Sequence, residues 1–351
     1  MSPKYRGNSD DWLDSAESAR RSRSSARSKK GAPQASSLPG ENANATVMEV
    51  FPRQCRVRLD QDEGAVPVEF LCSYRRAQVL GHSAGEQSVR ERSPVAVGDR
   101  VLARQSSPDS GVIDGVCERR NSLIRPAPGR DSDSELQHVV AANLDILVIV
   151  AAAASPEFAG GLVDRYWVAA QFARIPSALC VTKMDLVTEN DSSLRDSWSL
   201  YRVLGLPVFE VCAKSGQGIS ELREFLKAKR AAFCGHSGVG KTSLLRTLIG
   251  REVGRVGVVS NATGKGRHTT SSAIVLDGPE NSLWIDTPGV REFGLAGILP
   301  EALHQFFPEF HDRGCQAPAC RHLDEAECAV KGLPRYTSYR RIHQSLMEGE
   351  H

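Results

Sequence analysis

Hydrophobic residues occur in short, separated runs between residue 45 and about residue 124 of this 351-residue chain. Turn residues such as Gly98-Asp99 lie between the runs, as they do between the strands of an all-β domain. Five such runs in roughly eighty residues predict a small closed barrel, and an OB-fold is the leading choice. The predicted strands are Thr46–Phe51, Cys55–Leu59, Val66–Cys72, Val95–Ala103 and Gly111–Arg119.

From about Val139 the pattern changes to alternating strands and helices. Leu144–Val150 is an almost continuous apolar run, which is typical of a strand buried on both faces of a parallel sheet. Apolar residues at helical spacing follow at Val163–Phe172, and the alternation continues to about Gly294. This pattern predicts a doubly wound α/β domain. Its other predicted elements are the strands Ala178–Val181, Pro207–Val211, Ala231–Cys234, Ile274–Leu276 and Leu283–Ile285 and a helix over Leu244–Leu248.

The two ends of the chain differ from these domains. Residues 1–43 contain almost no branched aliphatic side chains, so we predict that they are disordered. Their basic stretch from Arg20 to Lys30 suits either an RNA-contacting arm or a solvated tail without function. The predicted organisation is a disordered basic tail (1–43), an OB-fold domain that binds RNA (44–127), an α/β domain (128–296) and a small α-helical domain (297–351).

Composition and charge narrow the class of protein. The chain is 40% hydrophobic and 25% charged, as soluble globular proteins are, and its net charge of +2 does not by itself indicate nucleic acid. No signal-peptide pattern and no apolar run of membrane-spanning length are present. Nine cysteines, mostly single within apolar runs, favour a reducing compartment, and we predict a cytoplasmic protein.

Because the net charge is only +2, a basic surface on this protein would have to come from a local cluster of basic residues. The barrel segment has basic edges, which suit either an RNA-binding face or a structural domain with scattered charge. The residues concerned are Arg53, Arg56, Arg58, Arg75 and Arg76.

A phosphate-binding P-loop joins the predicted strand Ala231–Cys234 to a predicted helix. Its glycines let backbone N–H groups turn towards phosphates, and the helix N-terminus adds partial positive charge. Lys241 is the candidate contact for the β- and γ-phosphates, and Thr242 is a candidate Mg²⁺ ligand. The alternative is a chance glycine-rich turn, but the flanking elements favour the P-loop. The predicted phosphate-binding residues are Gly235, His236, Ser237, Gly238, Val239, Gly240, Lys241, Thr242 and Ser243.

A second candidate contact for the phosphate end of the nucleotide is Asp286-Thr287-Pro288-Gly289. The segment ends the predicted strand Leu283–Ile285, so Asp286 can hold Mg²⁺ through water and the Gly289 N–H can contact the γ-phosphate. By itself this sequence is also a common turn. Its position about forty-five residues after the P-loop favours the nucleotide-binding interpretation.

Gly266–Thr270 lies between these two motifs and overlaps the polar, glycine-rich segment Asn261–Arg267. Thr269 or Thr270 is the candidate hydroxyl ligand of Mg²⁺, and a plain surface loop is the alternative. Many small GTPases orient the attacking water with a Gln directly after the D-x-x-G motif, but Val290 stands there in this chain. We therefore predict slow unaided hydrolysis, with either His268 or a partner completing the catalytic site.

Thr182-Lys183-Met184-Asp185 is a candidate guanine-recognition motif. The two oxygens of Asp185 can accept hydrogen bonds from guanine N1–H and N2–H₂, a pair that adenine does not offer. The stem of Lys183 can lie over the base. Cys212-Ala213-Lys214, after the next predicted strand, supports this interpretation because a backbone N–H there can meet guanine O6. A solvated loop and an ATP-binding site are the alternatives.

The order of these motifs is reversed relative to an ordinary GTPase. The guanine motif at Thr182 precedes the P-loop at Gly235, although both must contact one nucleotide. The reversal predicts a circularly permuted P-loop GTPase domain, in which the phosphate-contacting segments lie next to the C-terminal domain.

The C-terminal segment contains three cysteines and one histidine within fourteen residues. Three thiolates and an imidazole form a closed tetrahedral set, which is typical of a structural Zn²⁺ site rather than a catalytic one. Free buried cysteines are the alternative. The predicted ligands are Cys315, Cys320, His322 and Cys328, followed by a basic and aromatic stretch from Lys331 to Arg341.

Taken together, these motifs resemble the ribosome small-subunit-dependent GTPase A (RsgA) family over roughly residues 45–345. The resemblance rests on the permuted order, on Gly-Arg-His-Thr-Thr, on residues 286–295 and on the cysteine and histidine set. It implies a barrel, a permuted GTPase and a zinc domain, a late role in small-subunit maturation and GTPase activity stimulated by that subunit. It also implies a hydrolytic role for His268. Two departures are Thr182, where Asn is usual, and Cys212, where Ser is usual.

The sequence thus predicts a monomeric GTP hydrolase with Mg²⁺ and one structural Zn²⁺, which assembles with the small ribosomal subunit and its rRNA. The rival hypothesis is a non-catalytic RNA-binding checkpoint protein, in which GTP only sets the affinity. Val290 is the residue that favours this rival.

Overall fold

A computed structural model of the protein describes most of the chain after residue 41. The described residues are 42–62, 64–74, 90–91, 95–126, 136–188, 190–250, 273–287, 295, 297–311, 313–315, 320–323, 325 and 327–348.

The first domain is a closed five-stranded barrel with strand order β1-β2-β3-β6-β5. β3 and β6 pair in parallel, the other neighbours are antiparallel, and β1 closes the barrel against β5. Alternate residues such as Val47, Val57 and Phe70 point into the core. The barrel architecture predicted from the sequence is confirmed. Its strands are β1 (Ala45–Phe51), β2 (Gln54–Leu59), β3 (Glu69–Ser73), β5 (Arg100–Ser107) and β6 (Ser110–Val116), and β4 (Arg90–Glu91) lies outside it.

Two strand predictions were displaced along the chain. β3 begins at Glu69 rather than Val66, whose side chain is 84% exposed and adds nothing to the core. Residues 95–99 form a turn rather than the start of β5. The Asp99 carboxylate accepts a hydrogen bond from the Ala96 N–H at 2.7 Å, and Gly98 has a φ of 87°. The extended backbone therefore resumes only at Arg100.

A small three-stranded sheet, which the sequence did not indicate, combines a strand from between β3 and β5 with two strands that follow the barrel. It has the order β4-β8-β7, with β7 over Ser122–Pro126 and β8 over Leu136–Ala142. β7 pairs antiparallel with β8, so the pair joins residues on either side of the predicted 127/128 domain boundary. The domain boundaries themselves stay predictions.

The second domain contains a six-stranded sheet with order β11-β10-β9-β12-β14-β13. All neighbours are parallel except the edge strand β13, which is antiparallel to β14. Every residue of β9 is buried, as its continuous apolar pattern predicted. The doubly wound α/β prediction is confirmed. The strands are β9 (Ile146–Ala152), β10 (Ser177–Thr182), β11 (Val208–Glu210), β12 (Arg230–Cys234), β13 (Ile274–Asp277) and β14 (Leu283–Asp286).

Four helices among the described residues accompany this sheet. They are α1 (Gly160–Phe172), α2 (Ser192–Val203), α3 (Ile219–Phe225) and α4 (Lys241–Ile249). α2 and α3 were not predicted, because α2 buries only Trp198 and Tyr201 and α3 only Ile219 and Leu222. A stripe of two buried residues gives too weak a helical pattern.

The C-terminal residues form two 3₁₀ helices, Pro300–Phe306 and Pro308–Phe310, and the helix α5 (Tyr336–Met347). α5 buries Tyr339, Ile342 and Leu346 on one face. Stacked and edge-to-face rings of Phe307, Phe310 and Tyr339 join these elements, which confirms a small helical domain. Among the helices that the structure describes, none has the length and hydropathy to cross a membrane.

Candidate functional site

The P-loop lies at the carboxyl end of β12, directly between β9 and β14, and leads into α4. Its backbone requires glycine at three positions. A Cβ at Gly235 would lie 2.1 Å from the Val150 carbonyl oxygen, and Gly238 and Gly240 have φ values of 82° and 92°. Because side chains are strained or excluded there, the loop keeps its N–H groups open to a ligand.

Lys241 and Asp286 face each other at the base of this loop. The Lys241 ammonium donates a hydrogen bond to the Gly235 carbonyl at 2.7 Å. Burial lowers the pKa of Lys241 and raises the pKa of Asp286, while the opposite charge of each partner works against that shift. Both groups are therefore held in a poorly solvated place where a phosphate and a cation would stabilise their charged forms.

Asp286 Oδ1 is buried and has no hydrogen-bond partner among the residues that the structure describes. An unpaired buried carboxylate oxygen is costly unless a donor or cation meets it. Thr242, whose side chain is exposed, is the second residue of α4 and directly follows Lys241. These two side chains fit the predicted Mg²⁺ site, in which a water-bridged carboxylate and a hydroxyl are ligands.

The Asp286 strand is tied to the P-loop strand. The Thr287 hydroxyl is buried and donates to the Phe233 carbonyl of β12 at 2.7 Å. Gly289, Val290, His268, Thr269 and Thr270 lie outside the described residues, so their predicted roles stay predictions.

Thr182 joins the guanine-recognition motif to the P-loop. Its hydroxyl is buried and donates to the Val239 carbonyl of the P-loop. Thr182 stands where Asn is usual in the family that the sequence resembles. The hydroxyl nevertheless reaches the P-loop backbone, so the connection exists with the shorter side chain.

Lys183 follows with a left-handed backbone, φ 59°, and its ammonium donates to the Ser155 carbonyl. A side-chain carbon at Gly240 would lie 3.9 Å from Lys183 Cε. The stem of Lys183 therefore passes beside the P-loop, where it was predicted to flank a base.

Asp185 is held by two residues of the next loop. Lys214 Nζ lies 2.6 Å from Asp185 Oδ2, and Cys212 Sγ lies 3.4 Å from Oδ1. The hydrogen bond from Lys214 holds the pKa of the Asp185 carboxyl below its usual range, so the group is an anion at neutral pH. Ala213 lies between these two partners in the chain. The fold thus brings both halves of the predicted guanine site together.

We expect Asp185→Asn to lower GDP affinity and weaken the preference for guanine over adenine. An amide offers one acceptor oxygen where the carboxylate offers two, and losing a charged hydrogen bond costs about 2–3 kcal/mol. Competition binding of GDP and ADP to parent and variant measures the effect. Glu210→Gln, which lies on the neighbouring strand and bonds Trp198 and Arg195, is the matched control. Equal GDP affinity for parent and Asp185→Asn would remove Asp185 from the site.

The predicted metal ligands converge in the C-terminal domain. The ligand atoms of Cys315, Cys320, His322 and Cys328 all lie within 4.8 Å of one another. His322 Nδ1 lies 3.5, 3.6 and 3.5 Å from the three sulfur atoms, in chain order. A tetrahedron with Zn–S of about 2.3 Å and Zn–N of about 2.0 Å has S–N edges of about 3.5 Å. The donor set therefore fits a tetrahedral metal ion in both chemistry and size.

Three residues that the sequence analysis missed hold this loop in place. The Glu325 carboxylate accepts hydrogen bonds from the Arg321 and Leu323 N–H groups at 2.9 and 2.8 Å, which lowers its pKa to about 2. Tyr339 and Tyr336 of α5 donate to the Arg321 and Leu323 carbonyls at 2.6 and 2.7 Å. The tyrosines in the basic and aromatic stretch therefore support the metal loop from inside the domain. A glutamate between the ligands was the available sequence signal.

Two of the barrel arginines form ion pairs within the protein instead of presenting free positive charge. Arg56 pairs with Glu49 at 3.5 Å, and Arg58 contacts Glu69 at 2.6 Å and Asp277 of β13 at 2.5 Å. Arg53 is exposed, and Arg75 and Arg76 lie outside the described residues. Arg58 thus connects the barrel to the edge strand of the second domain instead of adding to a basic face.

Residues 116–296 match the RsgA GTPase family. A small ribosomal subunit biogenesis GTPase RsgA of Chlorobaculum tepidum is 40% identical over 269 residues, 72% of this chain and 86% of that protein. The protein of the same name from Pseudomonas fluorescens (strain SBW25) is 39% identical over 306 residues, 83% of this chain and 88% of its own.

Solved structures share the architecture. YjeQ from Thermotoga maritima has a TM-score of 0.65 and 29% identity, and the match covers 87% of this chain and 98% of that one. YloQ, described as a circularly permuted GTPase, has a TM-score of 0.62 at 24% identity and covers 87% of this chain and 94% of its own, which shows a common fold.

Proposed function

The chain belongs to the RsgA GTPase family, and from this premise we propose that it acts late in maturation of the small ribosomal subunit. It is a circularly permuted GTPase, and family membership connects it to ribosome biogenesis. In the proposed cycle it binds rRNA through its flanking domains, and the small subunit stimulates GTP hydrolysis. One observation carries this proposal: the P-loop, Asp286 and the guanine motif meet at one end of a single sheet.

Each residue of the proposed site has one task. Lys241 moves from the Gly235 carbonyl to the β- and γ-phosphates, while the P-loop N–H groups hold the remaining phosphate oxygens. Thr242 and Asp286 would hold Mg²⁺, which would supply positive charge to neutralise the phosphates. Asp185 selects guanine. The segment with His268 supplies the group that orients water.

The C-terminal cluster binds one structural Zn²⁺ in this proposal. All four donors come from the chain, so the ion has no open position for a substrate. Its contribution is to fold a short loop-rich segment beside α5. The protein works as a monomer in the cytoplasm.

The permuted order places the phosphate-contacting segment directly before the C-terminal domain in the chain. Asp286 ends β14, and the chain then reaches Leu295, which is fully buried, and the 3₁₀ helix Pro300–Phe306. A change at the γ-phosphate therefore acts on the segment that leads directly into the zinc domain.

The test is GTP turnover measured with and without purified small ribosomal subunits. The proposal expects slow hydrolysis alone and much faster hydrolysis with subunits, in single-turnover conditions. Subunit binding that depends on GTP while hydrolysis stays slow would instead support the checkpoint hypothesis. Stronger competition by ADP than by GDP would point to an ATPase.

We expect His268→Ala to lower subunit-stimulated hydrolysis far more than GTP binding. Val290 cannot align water, whereas an imidazole can both donate and accept a hydrogen bond. Removing one positioned catalytic group costs roughly 100-fold or more. Nucleotide affinity, subunit binding and stimulated turnover are measured on the same variant. Unchanged turnover per bound subunit would show that the ribosome supplies the missing group.

A further inference from the structure

A buried ionic cluster joins the C-terminal domain to the GTPase domain. Arg335, just before α5, donates from Nε to Asp164 Oδ1 of α1 at 2.7 Å. Its Nη1 lies 3.1 and 2.9 Å from the two oxygens of Glu309. The Arg335 and Asp164 side chains are 2% and 1% exposed, and Glu309 is 8% exposed.

Aromatic rings enclose this guanidinium. Its central carbon lies 4.6 Å from the ring centroids of both Trp167 of α1 and Phe307 of the C-terminal domain. Arginine in a dry site with aromatic faces and two carboxylates is held in a single orientation. Removing one member of such a cluster leaves an uncompensated buried charge, so the two domains are fixed at this point.

The cluster is connected to the start of α1 through Tyr201. The Tyr201 hydroxyl lies 2.8 Å from Asp164 Oδ1 and 2.9 Å from the Gly160 carbonyl oxygen, so its one hydrogen is shared between these two acceptors. Gly160 is the first residue of α1. The position of Asp164 therefore sets the position of the chain that enters the helix.

That entering chain, Ser155–Ala159, contacts both halves of the nucleotide site. The Ser155 carbonyl accepts the hydrogen bond from Lys183, and Pro156 lies beside Gly238, where a side-chain carbon would be 4.0 Å from Pro156 Cδ. Between α1 and the P-loop lies a mostly apolar cavity of about 160 Å³, lined by Val163, Tyr166 and Val239 among others. Pro156, Glu157 and Ala159 line the same cavity, so the segment reaches the nucleotide site through the Lys183 hydrogen bond to Ser155 and through Pro156 beside Gly238.

We propose that Arg335 is a positioning residue for the nucleotide site, acting through Asp164, Tyr201 and the Ser155–Ala159 segment. Docking of the C-terminal domain then holds Lys183 and the P-loop in their nucleotide-binding arrangement. A partner that displaces this domain would release GDP. This inference rests on the nucleotide site proposed above and adds the C-terminal domain as its regulator.

The experiment measures dissociation of fluorescent GDP from the full-length, metal-loaded chain. Arg335→Met and Tyr201→Phe are the test variants; the second removes only the hydroxyl that links Asp164 to Gly160. Gln171→Ala is the matched control, because Gln171 lies on α1 and donates to the Phe306 carbonyl at 3.1 Å, at the far end of the same interface. Thermal unfolding of each variant is recorded beside the dissociation rate.

We expect both test variants to release GDP roughly 3- to 30-fold faster than the parent, and Gln171→Ala to release it at the parental rate. If Arg335→Met does not fold, Arg335→Lys, which keeps a charge but loses the two-sided hydrogen bonding, takes its place. Parental GDP release in a folded Arg335 variant whose melting temperature has fallen would overturn the inference, since the cluster would then be only structural. Failure of the parent to bind GDP would instead contradict the nucleotide site itself.

Discussion

Lys241→Ala is expected to abolish GTP turnover while the protein stays folded. Among the described residues, the ammonium donates one hydrogen bond, to the Gly235 carbonyl, and the hydrophobic clusters do not include Lys241, so we expect the fold to persist without it. In the proposed site it is the charge that stabilises the β- and γ-phosphates as the bond to the γ-phosphate breaks. Losing a preorganised charge of this kind costs on the order of 100- to 1,000-fold in rate.

Single-turnover hydrolysis with and without small subunits measures the loss, and circular dichroism checks the fold. Lys227→Ala is the control, because it removes an equal charge from a surface lysine that pairs with Glu280 at 2.8 Å. Parental turnover in folded Lys241→Ala would contradict the P-loop assignment.

Removal of the metal is expected to loosen the C-terminal domain before the rest of the protein. We expect one zinc per chain by elemental analysis. The described part of the segment from Cys315 to Cys328 is short and has little regular secondary structure, with hydrogen bonds from Glu325 and α5, so we expect the domain to depend on its ion for stability. Hydrogen exchange after chelation should rise first in residues 297–348, while β9 and β10 stay protected.

Cys328→Ser tests the same site without a chelator and should lose the metal. Cys117→Ala, which changes a buried cysteine of the barrel domain outside the cluster, should keep it. Purified protein without zinc, or with a disulfide among the four candidate ligands, would contradict the assignment.

The elements that the sequence located best are those whose signal is local. β9 is apolar at every position because both of its faces are covered, and the P-loop needs its glycines for backbone geometry alone. The four metal donors lie within fourteen residues of one another, so their spacing in the chain already constrains their distance in space.

Residues that are far apart in the chain but in contact in the fold gave no local sequence signal. Arg335 and Asp164 meet across 171 positions of the chain, and Arg58 meets Asp277 across 219. In the sequence each is one charged residue among many. The basic and aromatic stretch from Lys331 to Arg341 likewise did not show which of its side chains are buried, and Tyr339 is 1% exposed.

The position of β12 in the chain also determines the order in which the domain can be built. β12 pairs with β9 on one side and β14 on the other, yet β9 and β10 precede it in the chain by a long interval. During synthesis, the half of the domain that contains β9 and β10 leaves the ribosome first, and one edge of the fully apolar β9 stays unpaired until β12 is made. An unpaired apolar strand edge invites association with other chains. Nucleotide binding cannot stabilise the domain earlier, because the P-loop directly follows β12 in the chain. A newly made chain therefore exposes an unpaired apolar strand edge before its nucleotide site is complete.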